Sequence, residues 1–306
     1  MGEERGSPGL RDFCEAHKDL FSADVFIASD GPRIHPDKPT IFMGSRSVFN
    51  FTMRLDSHAG GHHSGNWGGL LTNPGVVMAH AIASMIDRNG KILVEGWRST
   101  QIPNSVRAAI AKLDVGEGEN TPDINPNWGE PDLTIAERVF ASNTFEVRAF
   151  ETGNPKSPAN AIPPSAVVFG HLRYVVGTDI RKLMPLLRAH LDKHGFNDIT
   201  ITSERDMMPA TRLDPDHPWA KWAIKSLSKT AEDEIAVIPN LGGALPNDVF
   251  ADLLGLPTIW VPHSYAGCSQ HAPNEHILES ISKSALRLMT GLWWDLGEGN
   301  TPRQVS

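Results

Sequence analysis

The stretch from Ser45 to about Ser203 constrains the fold most, because it shows the same strand-then-helix pattern twice. Val48, Asn50, Thr52 and Arg54 alternate with Phe49, Phe51, Met53 and Leu55, a period of two that specifies a strand with one apolar and one polar face. After a turn rich in Gly and His, Asn73-Pro74 opens a helix carrying Val77, Met78, Ile82, Met85 and Ile86. The pattern returns with a long strand over Ser165 to Val176. Next comes a strongly amphipathic helix marked by Ile180, Leu183, Met184, Leu187 and Leu191 and stopped by Gly195. Ile199 and Ile201 start a further strand. A sheet with one apolar face must bury it, and the two helices are the available cover, so this region reads as a compact α+β unit. The intervening stretch from Asp114 to Pro131, rich in Gly, Asn, Pro and acid, reads as a surface loop.

The flanks have another texture. Ser7 is a good N-cap, Pro8 suits the first helical position, and Leu10, Phe13 and Leu20 supply part of an apolar face. Ala23 to Ser29, closed by Asp30-Gly31-Pro32, reads as a short buried strand that delivers Asp30 at its C-terminal end, where open α/β sheets bind ligands. Beyond Met208 come a helix around Trp219, Trp222 and Leu227, a strand over Ile235 to Ile238, the pair Gly242-Gly243, a short helix, and a buried strand over Thr258 to Val261. A final helix carries Ile277, Ile281, Ala285, Leu288 and Leu292. The expected architecture is α/β. Segments 1–44 and 208–306 build a mostly parallel sheet flanked by helices, and 45–207 form an inserted α+β domain.

Charge narrows the partners. With 28 Lys and Arg against 36 Asp and Glu, a net of -8, and no basic block, the chain lacks the clustered cations that nucleic acid or an anionic membrane requires. A small polar substrate fits better. Cys14 and Cys268 lie far apart without metal-ligand spacing and read as free thiols. No apolar run reaches the roughly 18 residues of a membrane span and the first residues do not resemble a signal peptide, so the expected location is cytoplasmic.

Four groups could carry chemistry, each with a bland alternative. Glu3-Glu4 is by default a pair of solvated acids, but in a hydrolytic metal site one carboxylate can bind the ion while the other takes the proton from water. Asp30 is either a metal ligand or a turn residue capping the next backbone amide. His271, in His-Ala-Pro-Asn-Glu just before a helix, is a solvated loop residue or a zinc ligand, with His263 and His276 as decoys. The run His58-Ala-Gly-Gly-His62-His63-Ser64-Gly65 is an adventitious metal site or a turn that presents a side chain to a substrate.

Taken in order, Glu3-Glu4-Arg5-Gly6-Ser7-Pro8, Ala23-Asp24-Val25 to Ser29-Asp30, His63-Ser64-Gly65-Asn66-Trp67-Gly68-Gly69, Asn160 through Ile162-Pro163 to Arg173, Gly242-Gly243-Ala244-Leu245-Pro246 and His271 to Glu275 resemble the dinuclear zinc aminoacylase, carboxypeptidase and dipeptidase family. The resemblance covers essentially the whole chain. It implies a zinc-exopeptidase-like catalytic domain carrying a lid that dimerises, and hydrolysis of the amide bond in dipeptides or N-acyl amino acids. It also implies two zinc ions per active site, with cobalt or manganese as substitutes. By the same resemblance Glu3 is the general base, Glu4, Asp30 and His271 are metal ligands, and His63 serves the neighbouring subunit's active site as an oxyanion donor. Asn160 and Arg173 then hold the substrate carboxylate or oxyanion, Arg212 is a further carboxylate clamp, and Gly242 and Gly243 let the backbone approach the substrate tail.

The family's first metal motif, a His-x-Asp followed by a bridging aspartate, lies upstream of the paired glutamates. This chain starts just before that pair, and His35-Pro-Asp37 reads as chance. The resemblance therefore implies a catalytic domain without its N-terminal part, weak zinc binding and little hydrolysis by the chain as written. The alternative is a catalytically silent homologue acting as a dimerising or binding module.

Overall fold

The computed structural model describes residues 7–99, 101–116, 122–203, 208–299 and 301–302. Two separate four-stranded sheets organise them. The first, here the base, has strands Phe26–Ala28, Thr258–Trp260, Thr40–Phe42 and Ala236–Ile238 in that spatial order. The outer two pairings are parallel and the central one is antiparallel through Trp260 and Phe42. Ile41, Ile259 and Val261 pack under Trp219, Ala223 and Leu227 of helix Pro218–Ala231 and Leu288 and Leu292 of helix Glu279–Gly297. Among the described residues no helix is long and apolar enough to cross a membrane.

The second sheet, the lid, is antiparallel throughout, in the order Thr200–Ser203, Ser47–Asp56, Ser165–Tyr174, Thr144–Thr152. Its two central strands pair over their full length, Ser47 with Tyr174 through Asp56 with Ser165. The period-two pattern is realised as expected: Phe49, Phe51, Met53 and Leu55 are buried while their neighbours are not. The buried face packs against helices Pro74–Met85 and Ile180–Lys193. Asn73 caps the first of these with its side-chain oxygen, accepting from the amides of Gly75 and Val76, and Pro74 occupies the first turn. Beyond the second, Gly195 takes a φ of +80° that a Cβ would resist.

Several expectations are corrected. Ser7 does not cap the first helix, which spans Leu10–Ala16 with Gly9 at its N-cap in the left-handed region. Ser7 lies in the left-handed region too and its carbonyl accepts from Leu10 N, so a tight turn uses up the expected cap. The expected apolar face of this segment is outward, with Phe13 55% and Leu20 78% exposed, and Cys14 is its buried residue. The strand expected over Ala23 to Ser29 shrinks to Phe26–Ala28 and is only half-buried, because it forms the edge of the base sheet. Ile277 lies before the final helix and is exposed.

The Thr144–Thr152 strand and the helices Asn104–Ile110 and Ile135–Phe140 were not expected. These two helices rest on the base, where Val106, Ile110, Ala136 and Phe140 join Phe42, Ile238 and Trp260 in one core. The chain thus leaves the lid for the base and returns between Trp97 and Thr144. A buried asparagine fastens the return. Asn143 donates to the Trp97 carbonyl at 2.8 Å and to Thr178 Oγ1 at 3.1 Å, and accepts from Val175 N at 2.9 Å.

Candidate active site

The lid brings His63 and Asn160 together. His62–His63 pairs with Ala161–Ile162, so Asn160 is next in line beside His63. Its carbonyl accepts from both the amide of Ser64 at 2.9 Å and the hydroxyl at 3.0 Å. His63 Nδ1 accepts from Gly65 N at 3.1 Å. An imidazole nitrogen that accepts carries no proton, so neutral His63 has its proton on Nε2 and can donate outward. Both residues are exposed on the described chain.

Asp30 and Gly31 follow the edge strand of the base. Asp30 Oδ1 accepts from Gly31 N at 2.6 Å, the local turn geometry that the bland reading of this residue anticipated. The Gly31 carbonyl accepts from Ser264 N and Oγ, which ties this turn to the loop that leads to His271. His271 does not immediately precede a helix as expected; it stands in a turn at φ +60°, several residues before helix Glu279–Gly297. His276 is held by Tyr265 Oη at 2.8 Å and the Asn274 carbonyl at 2.9 Å. His263 keeps both ring nitrogens buried. Burial, then nearby Arg33, holds His263 below the usual histidine range.

Glu3 and Glu4 lie outside the described residues. Among the described residues, no three His, Cys, Asp or Glu side chains gather to hold a metal ion. A structural or catalytic zinc takes at least three protein donors, so the donors Asp30 and His271 do not by themselves fit a metal centre.

Between the lid and the base lies a residue that the sequence reading missed. Arg46 is 8% exposed and sits at the crossing from base to lid. Its Nε donates to the Gly242 carbonyl at 3.2 Å, and its Nη1 to the Ser142 carbonyl and Thr144 Oγ1, both at 3.4 Å. The amide of Arg46 also donates to the Leu241 carbonyl, so one residue fixes the Gly242-Gly243 loop against the first lid strand. Burial, and then Arg173, lower the Arg46 guanidinium to about 10. Arg173 is half-buried, faces away from the lid helices and is itself lowered by burial. His171, on the same face, falls to about 4 through burial and the fields of Arg173, Arg148 and Arg46. No motif spacing marks Arg46; a lone arginine just before an alternating strand was the available signal.

Arg212 pairs with Gly44 across a short antiparallel bridge and donates to Asn240 Oδ1 at 3.3 Å. It lines a cavity of about 830 Å³ with Arg98, Lys193 and His194. A second cavity of about 920 Å³ opens between Ala108, Ala109, Ile224 and Val237 and contains none of the expected site residues.

Residues 46–199 match the peptidase dimerisation domain of the M20 family. The chain belongs to the M20 peptidase family. It is 32% identical to the Beta-Ala-His dipeptidase of Rattus norvegicus over 99% of this chain and 64% of that protein. It is 23% identical to the human enzyme of the same name over 90% of this chain and 56% of that one. Similarity to the Cys-Gly metallodipeptidase of Schizosaccharomyces pombe is 32% over 90% of this chain and 60% of that protein. Among solved structures, an M20 family metallo-carboxypeptidase from Sulfolobus solfataricus superposes with a TM-score of 0.77 at 26% identity, covering 95% of this chain and 68% of the other. Human carnosine dipeptidase 1 shares the fold with a TM-score of 0.72 at 18% identity, covering 97% of this chain and 65% of the other. The chain therefore spans between about half and two-thirds of the length of these curated relatives.

Proposed function

We propose that the chain supplies the lid and much of the base of a metal-dependent hydrolase cleaving the amide bond of dipeptides or N-acyl amino acids. The observation that carries this reading is the placement of His63 and Asn160 side by side at the end of one short strand pair of the lid, His63 opposite Ala161 and the Asn160 carbonyl bonded to Ser64, on a fold shared with dipeptidases. His63, with its proton on Nε2, donates to the carbonyl oxygen as negative charge builds on it. Asn160 and Arg173 hold the substrate carboxylate or oxyanion, and Arg212 is a further carboxylate clamp. Gly242 and Gly243 allow close backbone approach to the substrate tail.

Glu3 accepts the proton of the attacking water. Glu4, Asp30 and His271 are assigned to the metal, with zinc as the ion and two per site. The described donors do not complete that set. The lid pairs two copies of the chain, with His63 reaching into the partner's site. The two buried free thiols suit a reducing, cytoplasmic setting.

The test is to incubate the protein with Zn²⁺, Co²⁺ or Mn²⁺ and to follow free amino acid release from Beta-Ala-His, Cys-Gly and N-acetyl amino acids. Release that is abolished by a chelator, and by Glu3→Gln with the metal retained, supports the reading. Metal-loaded protein that releases nothing from any of them removes it. The match of residues 46–199 to a dimerisation domain favours a second reading, a silent dimerising module. A stable dimer that takes up no metal tightly is its signature.

A further inference from the structure

Two guanidinium groups, Arg46 and Arg173, meet at the junction of lid and base, and among the described residues neither has a carboxylate in ion-pair contact. Arg46 spends Nε and Nη1 on neutral acceptors, the carbonyls of Gly242 and Ser142 and the Thr144 hydroxyl. Its Nη2 points along the glycine loop, 3.6 Å from where a Cβ on Gly242 would stand. Arg173 pairs across the sheet with Thr144, the residue whose hydroxyl accepts from Arg46, so the two arginines are neighbours on the face turned away from the lid helices. Burial, and then the field of Arg173, hold the Arg46 guanidinium below its ordinary range.

His171 follows on the same face, two residues along the strand, and is held well below the usual histidine range by burial and then by the arginine fields. The acid opposite it, Glu146, is exposed, and partial desolvation by its neighbours raises its carboxyl. Two like charges side by side, one buried and one half-buried, raise the free energy of the empty site, and an anion placed between them lowers it. Planar guanidinium forks suit carboxylates in particular.

We propose that Arg46 and Arg173 form a twin-guanidinium site beside the Gly242-Gly243 loop that selects ligands carrying two carboxylates, such as a dipeptide or N-acyl amino acid ending in Asp or Glu. This rests on the hydrolase reading above and narrows its substrate class. Arg173 meets one carboxylate from the lid, and Arg46 supplies the second charge while holding the glycine loop at the distance that lets the ligand enter. Arg46 is thereby a specificity-determining residue as well as a strut.

Calorimetry of the full chain with N-acetylglutamate and N-acetylglutamine tests this without turnover or metal. The two ligands match in size and differ by one charge. The expected result is tighter binding of N-acetylglutamate by about tenfold or more, the worth of one charge-assisted hydrogen bond in a half-buried site. Arg46→Met, checked for folding by circular dichroism, brings the two ligands level. Arg173→Gln, at a half-exposed position, does the same and carries the test if Arg46→Met does not fold. Equal binding of both ligands to the unmodified chain overturns the proposal, as does a preference that survives in folded variants at both positions. Hydrolysis of N-acyl amino acids without acidic preference sinks this inference alone, whereas preference in binding without any hydrolysis sinks the hydrolase reading alone.

Discussion

Gly170 occupies the middle of the lid's Ser165–Tyr174 strand on the face that packs against aromatic rings. A Cβ built there would lie 2.6 Å from Cζ and 2.9 Å from Cε2 of Phe51, and 3.2 Å from Cε2 of Phe145. Carbon atoms in contact sit at about 3.5–4.0 Å, so Gly170→Ala must push the Phe51 ring by about 1 Å. That ring has nowhere free to go, since it is fully buried and packs against Phe49, Trp97 and Phe145. Overpacking of this kind costs about 1–3 kcal/mol, and the entropy recovered by replacing a strand glycine offsets about 0.5–1 kcal/mol of it. The expected net loss is about 1–2 kcal/mol, read as a lower urea midpoint.

Phe51→Leu alone opens a cavity and also destabilises, but in the double variant the smaller side chain makes room for the methyl. The combined loss should then fall short of the sum by about 0.5–2 kcal/mol. A Gly170→Ala protein as stable as the original, or losses that simply add, would refute the packing argument.

Three further outcomes are expected. Asn143→Ala strips partners from the Trp97 carbonyl and the Val175 amide and should cost about 2–4 kcal/mol in urea unfolding, while a loss under about 0.5 kcal/mol would mean that water replaces the side chain. His171 has a folded value of about 4 against an ordinary 6.5, so the unfolded chain takes up the proton first. Its contribution is complete above about pH 6.5 and is lost as pH falls toward 4. Glu146, exposed but raised by partial desolvation, adds an opposing trend on the acid side. His171→Asn should flatten the stability profile across that window, and an unchanged slope would count against the assignment. Sedimentation should show a homodimer, and a strict monomer at high concentration would remove the proposed service of His63 to a partner.

The parts of this fold that were legible in the sequence are those whose burial has a period. Phe49 to Leu55 and Ile180 to Leu191 each present one apolar side, and Asn73-Pro74 punctuates in a way that only the start of a helix satisfies. The Thr144–Thr152 strand escaped because it is an edge strand with one buried residue, Phe145, and no alternation to detect. The first helix misled for a different reason: Ser7-Pro8 spells a cap, but Gly9 in the left-handed region takes the position instead. At the candidate site, the adjacency of His63 and Asn160 comes from strand pairing, which no local pattern encodes. Arg46 earns its role entirely from what the fold sets around it.

The return of the chain to the base between the two halves of the lid bears on how such a protein can be rearranged. An ordinary insertion hangs from two connections and can be cut out, swapped or lost as a cassette. Here Val106, Ile110 and Phe140, all within the inserted stretch, are bricks in the wall of the host. Excision would leave Phe42, Ile238 and Trp260 facing water on one side and strand the excised helices without a floor. Any recombination that moved the lid would have to carry part of the base with it, so the two sheets are bound to be inherited together.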